Sequence, residues 1–460
     1  MTDDPKAKLY HRVQNLPLGW VLARMRIHGF WPSDRELPED PPSEVLERKQ
    51  LETRLSGLQK QHAVLKDPEK ALAEEHKRRM KESRERRAER KKQREEERKQ
   101  RVAAWIAKRQ ATIVHQGEGV SAGIGKTGSD AARLTELGLP VIHDGVELAA
   151  AIGITLSKLR WLTFHRRGAT LVHYHRYEIP KKSGGMRRIS APKPTLKRAQ
   201  HWVLENVLDR IELAPQAHGF RTEHSILSNA QPHVGQSVVI NLDLKDFFPS
   251  ITFARIQGLL KTFGYCQQVA SLLALLCTEP PRAIAKVKGQ RYYVAVGDRM
   301  LPQGACTSPA LTNIICRRMD RRLNGIATTL GFVYTRYADD LTFSGKDVSA
   351  VGQLLKAVRC FVTDEGFQEN LAKARIMRRA GHQEVTGVTV NVRPKLSRKE
   401  LRTLRAILHN AARHGLASQN RENHPDFAAY LAGRVGFACM VDPEHSFGWK
   451  AALKKALGQA

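Results

Sequence analysis

Two short apolar segments, each interrupted by acidic residues, stand out in the hydrophobic pattern of the chain. The first, VVINLDLKDFFPSI (238–251), carries Asp243 directly after a β-prone run, and the second, FVYTRYADDLTFSG (332–345), carries Asp339 and Asp340 at its centre. Runs of this length, rich in β-branched and aromatic residues, predict buried strands. The second segment is long enough for two strands joined by a tight acidic turn. The pattern therefore predicts a hairpin with carboxylates at its tip and a third carboxylate at the end of another strand.

Carboxylates at the ends of buried strands are costly unless water or a metal ion satisfies them. A divalent metal would offset the repulsion between Asp339 and Asp340. If Asp243 lies on a neighbouring strand, the three acids can hold two Mg²⁺ ions roughly 3.5–4 Å apart, an arrangement that stabilises the attacking and leaving oxygens of a phosphoryl displacement. The alternative is an exposed turn with solvated acids, which is the usual explanation for an isolated Asp-Asp pair.

The first third of the chain has a different pattern, in which charge replaces hydrophobic periodicity. Residues 1–45 contain Trp20, Phe30 and Trp31 and a Pro-rich exit, which predicts a small helical element. From residue 44 to about residue 110 the composition favours helix, but between residues 77 and 101 only Met80 and Ala88 are apolar. No face of this stretch can join a core. It is predicted to be a solvated helix roughly 38 Å long or a disordered spacer, with an RNA-binding arm as the alternative.

Shifts in composition predict the domain boundaries. A charged helical extension at 1–115 is followed by a Gly/Ser-rich linker at 116–135, and a folded body follows from residue 136. The run Gly125-Lys126-Thr127 is not a phosphate-binding loop, because Val120 stands where such a loop needs glycine and no apolar strand precedes it. From about residue 144 apolar helices alternate with short strands, which predicts an α+β body.

Composition indicates a polynucleotide partner without naming the chemistry. The net charge is +30 over 460 residues and the pI is near 10.1, so the chain attracts phosphate backbones in a salt-sensitive way. The six cysteines include no C-x-x-C pair, which argues against zinc and disulfides and predicts reduced core residues. No apolar stretch is long enough to span a bilayer, and the charge-mixed start is unlike a signal peptide. The expected location is cytoplasmic, without a membrane partner.

The order of the motifs along the chain resembles the reverse transcriptase family over about two thirds of its length. The segments that carry the resemblance are KKSGGMRRI (181–189), NLDLKDFF (241–248), LPQGACTSP (301–309), YADD (337–340), GFQENLAK (366–373) and VTG (385–387). The resemblance implies an RNA-directed DNA polymerase with a right-hand fold. Fingers and palm would occupy residues 136–390, and the thumb residues 391–460.

The resemblance also implies roles for individual residues in the palm. Asp243 and Asp339 would be shared ligands of two Mg²⁺ ions, the backbone carbonyl of Leu244 would complete one coordination shell, and Asp340 would be a supporting acid. Lys373 occupies the place of the lysine that protonates the leaving pyrophosphate.

The nucleotide pocket is implied in the same way. Lys181, Lys182 and Arg187, on a hairpin turned by glycines, would neutralise the triphosphate of an incoming deoxynucleoside triphosphate. Phe248 would contact the 2′-carbon of the sugar and exclude ribonucleotides, and Gln303 would shape the pocket. Without the resemblance, Phe248 is equally well explained as a core aromatic, and Lys181 and Lys182 as part of a basic surface loop.

Two further motifs resemble those of retron reverse transcriptases. Asn229 and His233 match an N-A-x-x-H pattern ahead of the first catalytic aspartate, and Val385, Thr386 and Gly387 match a V-T-G pattern after the acidic hairpin. Both are candidate RNA-recognition elements. Each alone is also explained by an ordinary helix turn or by a strand that ends at glycine.

The retron resemblance implies a reaction and a set of partners. Such an enzyme would recognise a cognate non-coding RNA, prime from a 2′-hydroxyl of that RNA, and make a branched RNA–DNA hybrid. An effector protein and a role in antiphage defence would follow. The alternatives are another defence-associated reverse transcriptase, a group II intron-like enzyme, and an RNA-binding scaffold with an inactive palm.

Overall fold

The computed structural model of the chain describes residues 16–36, 42–181 and 184–458. The chain falls into two compact units, residues 1–105 and 106–460. The described part of the first unit is helical, with α1 (Leu18–Ile27), α2 (Pro42–Leu65) and α3 (Pro68–Ala111), and α3 continues past the unit boundary. Between residues 77 and 101 of α3 every side chain except Ser83 is exposed. The predicted long charged helical extension is therefore confirmed.

The second unit begins with short helices that are capped by their own sequence. Asp130, Asp144 and Thr155 accept hydrogen bonds from backbone N–H groups in the first turns of the helices that follow them. The elements of this part are α4 (Ala131–Glu136), α5 (Gly145–Ile152), α6 (Leu156–Thr163), β1 (Gly168–Ala169), β2 (Tyr174–Pro180), β3 (Met186–Pro192), α7 (Pro194–Val203) and a π-helical turn, Leu204–Leu208. Strands β2 and β3 form an antiparallel hairpin.

The segment predicted to be a linker packs against the body of the second unit. Val120 and Ile124, together with Ile113 just before them, are buried. The side-chain amide of Gln268 donates to the carbonyls of Ile113 (3.2 Å) and Ile124 (2.8 Å), and its oxygen accepts from the backbone N–H of Gly145 (2.7 Å). Isolated apolar residues among glycines thus hold this segment to the core. No hydrophobic periodicity in the sequence predicts their burial.

A four-stranded antiparallel sheet forms the centre of the second unit, in the order β7-β8-β4-β9. A second sheet has the order β1-β6-β5. The elements are α8 (Ile226–Ala230), a 3₁₀ turn (Gln231–His233), β4 (Val238–Asp243), α9 (Phe253–Thr262), α10 (Gln267–Cys277), β5 (Arg282–Val287), β6 (Gln290–Ala295), α11 (Ser308–Thr329), β7 (Phe332–Tyr337), β8 (Asp340–Gly345), α12 (Val351–Asp364), a 3₁₀ turn (Leu371–Lys373) and β9 (Arg375–Arg378).

Strand β4 is buried on both faces, which explains its nearly continuous apolar sequence. Val238, Ile240 and Leu242 belong to the main hydrophobic core. Val239 points the other way and belongs to a second core, which is shared with the C-terminal helices. The strand that ends in Asp243 is therefore fixed from both sides.

The C-terminal part of the unit is a helical group that follows a very short hairpin. Its elements are β10 (Glu384–Val385), β11 (Val388–Thr389), α13 (Arg398–His414), a 3₁₀ turn (Leu416–Gln419), α14 (Phe427–Val441), a 3₁₀ turn (Pro443–His445) and α15 (Ser446–Ala456). Ser397 and Glu400 form a capping box at the start of α13. Each of the three helices contributes buried apolar side chains to a common core, among them Leu404, Leu431 and Trp449.

The structure also bears on the predictions for cysteine and membrane. All six cysteines are unpaired; Cys277 and Cys316 are buried as expected, but Cys360 is exposed on α12. In the part of the chain that the structure describes, no helix combines the length and apolar character needed to cross a membrane. The α+β class is confirmed by the mixture of helices and antiparallel sheet.

Candidate active site

The acidic segment forms the tight hairpin that the sequence predicts. Strands β7 and β8 pair in antiparallel register with Tyr337 opposite Asp340, so Ala338 and Asp339 form a two-residue turn. Ala338 has a φ of 58°, the left-handed region that two-residue hairpin turns require. Asp339 therefore stands at the tip of the hairpin and Asp340 at the start of β8.

Asp243 meets this hairpin across the sheet. It is paired with Asp340 in the register of β4 and β8, and it is only 7% exposed. The backbone N–H of Leu244 donates to the carbonyl of Asp339 at 3.0 Å, which ties the end of β4 to the hairpin tip. The three acids, nearly one hundred positions apart in the sequence, are thus brought to one edge of the sheet.

The electrostatics of the three acids reflect their proximity. Burial raises the pKa of Asp339, the charge of Asp243 adds to the rise, and Lys373 and Arg187 oppose it. Asp340 has some exposed surface, yet desolvation by the surrounding protein and the charges of Asp339 and Asp243 raise its pKa to about 6. The negative charge of the three carboxylates is therefore only partly offset by Lys373 and Arg187.

Lys373 and Asn370 hold the carboxylate of Asp243 from the other side. Lys373 Nζ donates to Asp243 Oδ1 at 2.8 Å, and Asn370 Nδ2 donates to Asp243 Oδ2 at 3.0 Å. The backbone N–H of Asn370 also donates to the carbonyl of Asp243 at 2.7 Å. The hydrogen bond to Asp243 raises the pKa of Lys373, although the lysine side chain is 54% exposed. The GFQENLAK segment is thus directly attached to the acidic site.

The donor set fits a divalent metal ion such as Mg²⁺, which prefers carboxylate and carbonyl oxygens. Asp243, Asp339, Asp340 and the carbonyl of Leu244 could supply these oxygens, and a cation would offset the burial and the mutual repulsion that raise the pKa values of Asp339 and Asp340. Among the described residues, the three groups whose ligand atoms all lie within 4.8 Å of one another are elsewhere: Asp442, Glu444 and His445. Arg393 pairs with Glu444 at 2.8 Å, so that cluster already has a cation.

The basic hairpin β2–β3 brings one cation within electrostatic reach of the acidic site. Arg187 on β3 is exposed, and its charge lowers the pKa of Asp339, so the two groups are within electrostatic reach. Lys181 is exposed at the hairpin end, where its backbone bonds Gly185 at 2.9 Å. Lys182 lies outside the described residues.

The LPQG segment packs on the same hairpin. The backbone N–H of Ser190 on β3 donates to the carbonyl of Gln303 at 2.7 Å, and Gln303 is half-buried. Gly304 has a φ of 110°, and a Cβ there would lie 2.8 Å from Ile189 Cγ2. Glycine is therefore needed for the close approach that fixes Gln303 relative to Arg187.

Phe248 lies between solvent and core. Its ring is half-buried, with centroids 5.7 Å from the ring of Phe247 and 6.2 Å from that of Phe220. Phe247 is the buried member of the FF pair, at 3% exposed. Phe248 therefore has surface left to meet a ligand, as the resemblance implies, whereas Phe247 serves the core.

A buried charge network behind the hairpin was not found from the sequence. Arg336 on β7 is 0% exposed, and its guanidinium makes a two-pronged pair with Asp320 of α11, both hydrogen bonds being 2.8 Å long. It also donates to Asn313 Oδ1 (3.0 Å) and to the carbonyl of Ala338 (3.1 Å). The signal was present in the sequence, because an arginine within an apolar strand must find a partner.

The network extends to the His218-Gly219-Phe220 segment. Asn313 Nδ2 donates to the carbonyl of Gly219 at 2.9 Å. A Cβ on Gly219 would lie 2.5 Å from the backbone nitrogen of Ala338, so only glycine allows this approach. The turn that carries Asp339 is therefore held in two ways. The guanidinium of Arg336 donates to the carbonyl of Ala338, and the backbone of Gly219 packs against the backbone of Ala338.

Two of the candidate RNA-recognition residues point into the protein. His233 is 0% exposed, and its ring nitrogens bond Ser344 Oγ (2.6 Å) and Thr335 Oγ1 (2.7 Å) on β8 and β7. Asn229 is also 0% exposed, and its amide approaches Thr386 Oγ1 at 3.5 Å. Their burial leaves no surface for RNA, so the structure gives them a place in packing.

The V-T-G segment is the turn between β10 and β11. Val385 is buried opposite Val388, whereas Thr386 is half-buried and Gly387 is exposed. Both turn residues have positive φ, 48° and 85°, as a tight two-residue hairpin demands. Of the five candidates, Thr386 and Gly387 are the ones that the structure places at a surface.

Comparison with known proteins decides the family. The family described as "Reverse transcriptase (RNA-dependent DNA polymerase)" matches residues 179–403. The retron Mx65 reverse transcriptase of Myxococcus xanthus is 46% identical over 317 residues, covering 69% of this chain and 73% of that protein. The chain belongs to the retron reverse transcriptases. The retron Mx162 enzyme of Myxococcus xanthus is 42% identical (69% of this chain, 67% of that protein), and the retron Ec86 enzyme of Escherichia coli is 34% identical (60% and 81%).

Family membership confirms the enzyme class and the fold. This retron reverse transcriptase is an RNA-directed DNA polymerase, and an RNA template is one of its partners. Its α+β body is the right-hand polymerase fold that the motifs imply. Reverse transcriptases use divalent metal ions, in agreement with the donor set at the acidic edge.

Proposed function

We propose that this retron reverse transcriptase copies a cognate non-coding RNA into single-stranded DNA that stays joined to the RNA through a 2′-branch, and that it does so in antiphage defence with an effector protein. The single observation that carries the catalytic part is the meeting of Asp243, Asp339 and Asp340 at one sheet edge. The branch and the defence role rest on the similarity to retron enzymes of other bacteria.

In this proposal the acidic edge holds two Mg²⁺ ions. Asp243 and Asp339 would be the shared ligands, the Leu244 carbonyl would complete one shell, and Asp340 would support the site. When bound, such ions stabilise the attacking and leaving oxygens of the phosphoryl transfer. The residues themselves contribute fixed geometry, because the β4–β8 register and the hydrogen bond between Leu244 and Asp339 set where the carboxylates stand.

The cations around the acids act on the nucleotide. Arg187, with Lys181 and Lys182, neutralises the triphosphate, and the electrostatic influence of Arg187 on Asp339 supports this assignment. Lys373 protonates the leaving pyrophosphate; its half-exposed ammonium bonds Asp243 and lies at the required edge. Phe248 excludes the 2′-hydroxyl of ribonucleotides, and Gln303 shapes the nucleotide pocket.

Recognition of the RNA falls to exposed residues beyond the palm. Thr386 and Gly387 form a surface turn ahead of α13 in the sequence, and the exposed cations of that helix, Arg398, Lys399, Arg402 and Arg405, suit a duplex backbone. Asn229, His233 and Val385 would act indirectly by holding this turn and the palm strands together. The RNA must deliver its own priming hydroxyl to the acidic edge, so its fold matters more than its groove sequence.

The catalytic proposal is tested by primer extension on an RNA template with deoxynucleotides and Mg²⁺. Replacement of Asp339 by Asn preserves the shape of the turn but removes a shared ligand, so extension should fall on the order of a thousandfold or more. Asp246→Asn is the matched control, because it removes an exposed carboxylate three residues from Asp243 at a backbone position, φ 46°, that Asn tolerates. Extension by the Asp339 variant at the rate of this control would refute the proposal.

The branch is tested on nucleic acid that copurifies with the protein. Sequencing should recover a DNA joined to an internal 2′-position of an RNA. Recovery of only linear, unjoined DNA from active enzyme would remove the branched product while leaving polymerase activity in place.

A further inference from the structure

Six cations of helix α3 lie in a row on one face. Counting from Arg84, positions that advance alternately by three and four residues are all basic. These six residues, here called the basic stripe, are Arg84, Arg87, Lys91, Arg94, Arg98 and Arg101. At about 100° per residue they lie within one sector, and the row extends about 26 Å along the helix axis. All six side chains are exposed.

Most acids of the same stretch lie on the opposite face of the helix. Glu82, Glu85, Glu89 and Glu96 follow a similar spacing and centre about 180° from the basic stripe, and only Glu95 and Glu97 come near its edges. Among the described residues, none of the six cations has a carboxylate within 4.0 Å; the ion pairs of α3 lie near its start, where Arg78 and Arg79 bond Glu75. The helix therefore does not neutralise the stripe internally.

This arrangement differs from that of an ordinary solvated helix. Like charges three and four residues apart repel each other, and here five successive pairs do so with only Glu95 and Glu97 near enough to offset part of the repulsion. Mixing the same residues around the helix would have relieved this repulsion. A rigid row of cations with an acidic back suits a linear polyanion that approaches from one side.

We infer that the basic stripe of α3 is a second RNA-binding site, which takes the phosphate backbone of the RNA that the enzyme copies. This inference rests on the proposed function for the choice of RNA as the polyanion. A membrane surface does not fit, because between residues 84 and 101 the only apolar residue is Ala88 and a surface-lying helix needs an apolar face. Contacts to phosphates are sequence-independent, so the site adds affinity and orientation, while selectivity stays with the second unit.

The test compares two full-length variants that each lose four positive charges from the same helix. The stripe variant is R87Q/K91Q/R94Q/R98Q. The control is K81Q/R86Q/K92Q/K99Q, whose residues are also exposed and lie more than a quarter turn from the centre of the stripe. Glutamine keeps helix propensity, and circular dichroism should show equal helix content in both.

Binding is measured without nucleotides, using an RNA hairpin, a DNA hairpin of the same sequence, and polyglutamate as a non-nucleic polyanion. For RNA, the stripe variant should bind about tenfold more weakly or worse, and the slope of log K against log salt should shrink by roughly 3. The control should lose about twofold or less. Equal losses in both variants would show that only net charge matters and would overturn the inference.

The other probes test which polyanion the site takes. Because phosphate contacts do not distinguish RNA from DNA, the two hairpins should lose affinity alike in the stripe variant, which supports the inference. Polyglutamate that binds as tightly as RNA and loses as much affinity in the stripe variant would overturn it. Because no synthesis occurs in this assay, its outcome is separate from that of Asp339→Asn, which tests the polymerase reaction alone.

Discussion

Arg336 shows how one buried side chain can organise a catalytic turn. It pairs with Asp320 and still has a donor left for the carbonyl of Ala338, the residue whose φ of 58° turns the hairpin. Desolvation of a guanidinium is costly, and the two-pronged pair with Asp320 offsets that cost. The donor to Ala338 then sets the backbone directly before Asp339, so Arg336 is a positioning residue for the acid.

Removing this positioning group should affect turnover separately from folding. Arg336→Met alone leaves Asp320 buried without its partner and should lower the free energy of unfolding by about 3–5 kcal/mol. The double variant Arg336→Met/Asp320→Leu removes both charges and should recover most of that stability, yet it still lacks the donor to Ala338. We expect its kcat to stay roughly tenfold or more below that of the native enzyme, with a smaller change in KM.

Urea unfolding and steady-state extension measure the two effects. A double variant with native kcat would show that Arg336 serves folding only. Arg336→Lys is the third member of the series, because it keeps the charge but cannot make the two-pronged pair.

Phe248 gives a second residue-scale prediction, about sugar selection. Replacing Phe248 with Ala removes the bulk that we propose meets the 2′-carbon, so incorporation of ribonucleotides relative to deoxynucleotides should rise about 10–100-fold. Phe248→Tyr keeps the ring and should keep the discrimination. The ratio of kcat/KM for matched ribo- and deoxynucleotides measures it, and an unchanged ratio in the alanine variant would make Phe248 a packing residue.

At the scale of elements, the strongest sequence signals were local. The apolar runs around Asp243 and Asp339 predicted the strands and the acidic turn, and both are present. The α+β class and the charged helical extension also followed from periodicity and composition. These features depend only on residues that are close together in the sequence, so a single sequence is enough to predict them.

Features that depend on distant partners were not predictable in the same way. Nothing local shows that Arg336 would meet Asp320, that Val239 would face a second core, or that Val120 and Ile124 would fold a glycine-rich segment onto the body. The N-A-x-x-H motif consists of residues that are usually exposed, and only the fold shows that His233 points inward. The V-T-G motif, in contrast, sits in a turn as its glycine indicates.

The inward position of His233 makes the connection between α8 and the sheet sensitive to acid. Burial lowers the pKa of His233 to about 3, and burial likewise lowers the pKa values of His165 and His218 to about 4. Between these values and 6.5 the unfolded chain binds more protons than the folded one, so stability is present above pH 6.5 and is lost as the pH falls.

The expected result is a steeper loss of stability in the native protein than in His233→Gln, by up to about 1.4 kcal/mol per pH unit below 6.5. Urea unfolding at pH 7.0 and at lower pH values measures the difference. His175→Gln, at an exposed position on β2, is the control. Parallel pH profiles for His233→Gln and the native protein would show that His233 does not titrate between the two states.

At the scale of the whole molecule, charge dominates the encounter with substrate. A net charge of +30 attracts RNA electrostatically and should speed its association with the protein at low ionic strength. We therefore expect KM for the RNA template to rise steeply between about 50 and 200 mM salt, with a slope that reports the number of phosphate contacts. The kcat should change little over this range, because the acidic edge is partly buried and salt screens it less.

Extension assays at several salt concentrations, with template and nucleotide varied in turn, check this expectation. A fall in kcat that is as large as the rise in KM would instead place the salt effect in the acidic site. The KM for deoxynucleotides provides the internal reference, since a small ligand makes fewer phosphate contacts than the template does.

The double burial of β4 limits where this enzyme can be divided. Val239 lies on the strand that ends in Asp243, and it belongs to the same apolar cluster as Leu404, Leu431 and Trp449 of the C-terminal helices. A polypeptide cut at residue 390 would expose that cluster on both pieces and leave the catalytic strand open on one side. To divide the enzyme into two fragments that can reassemble, a better site is the exposed Lys288-Gly289 turn between β5 and β6.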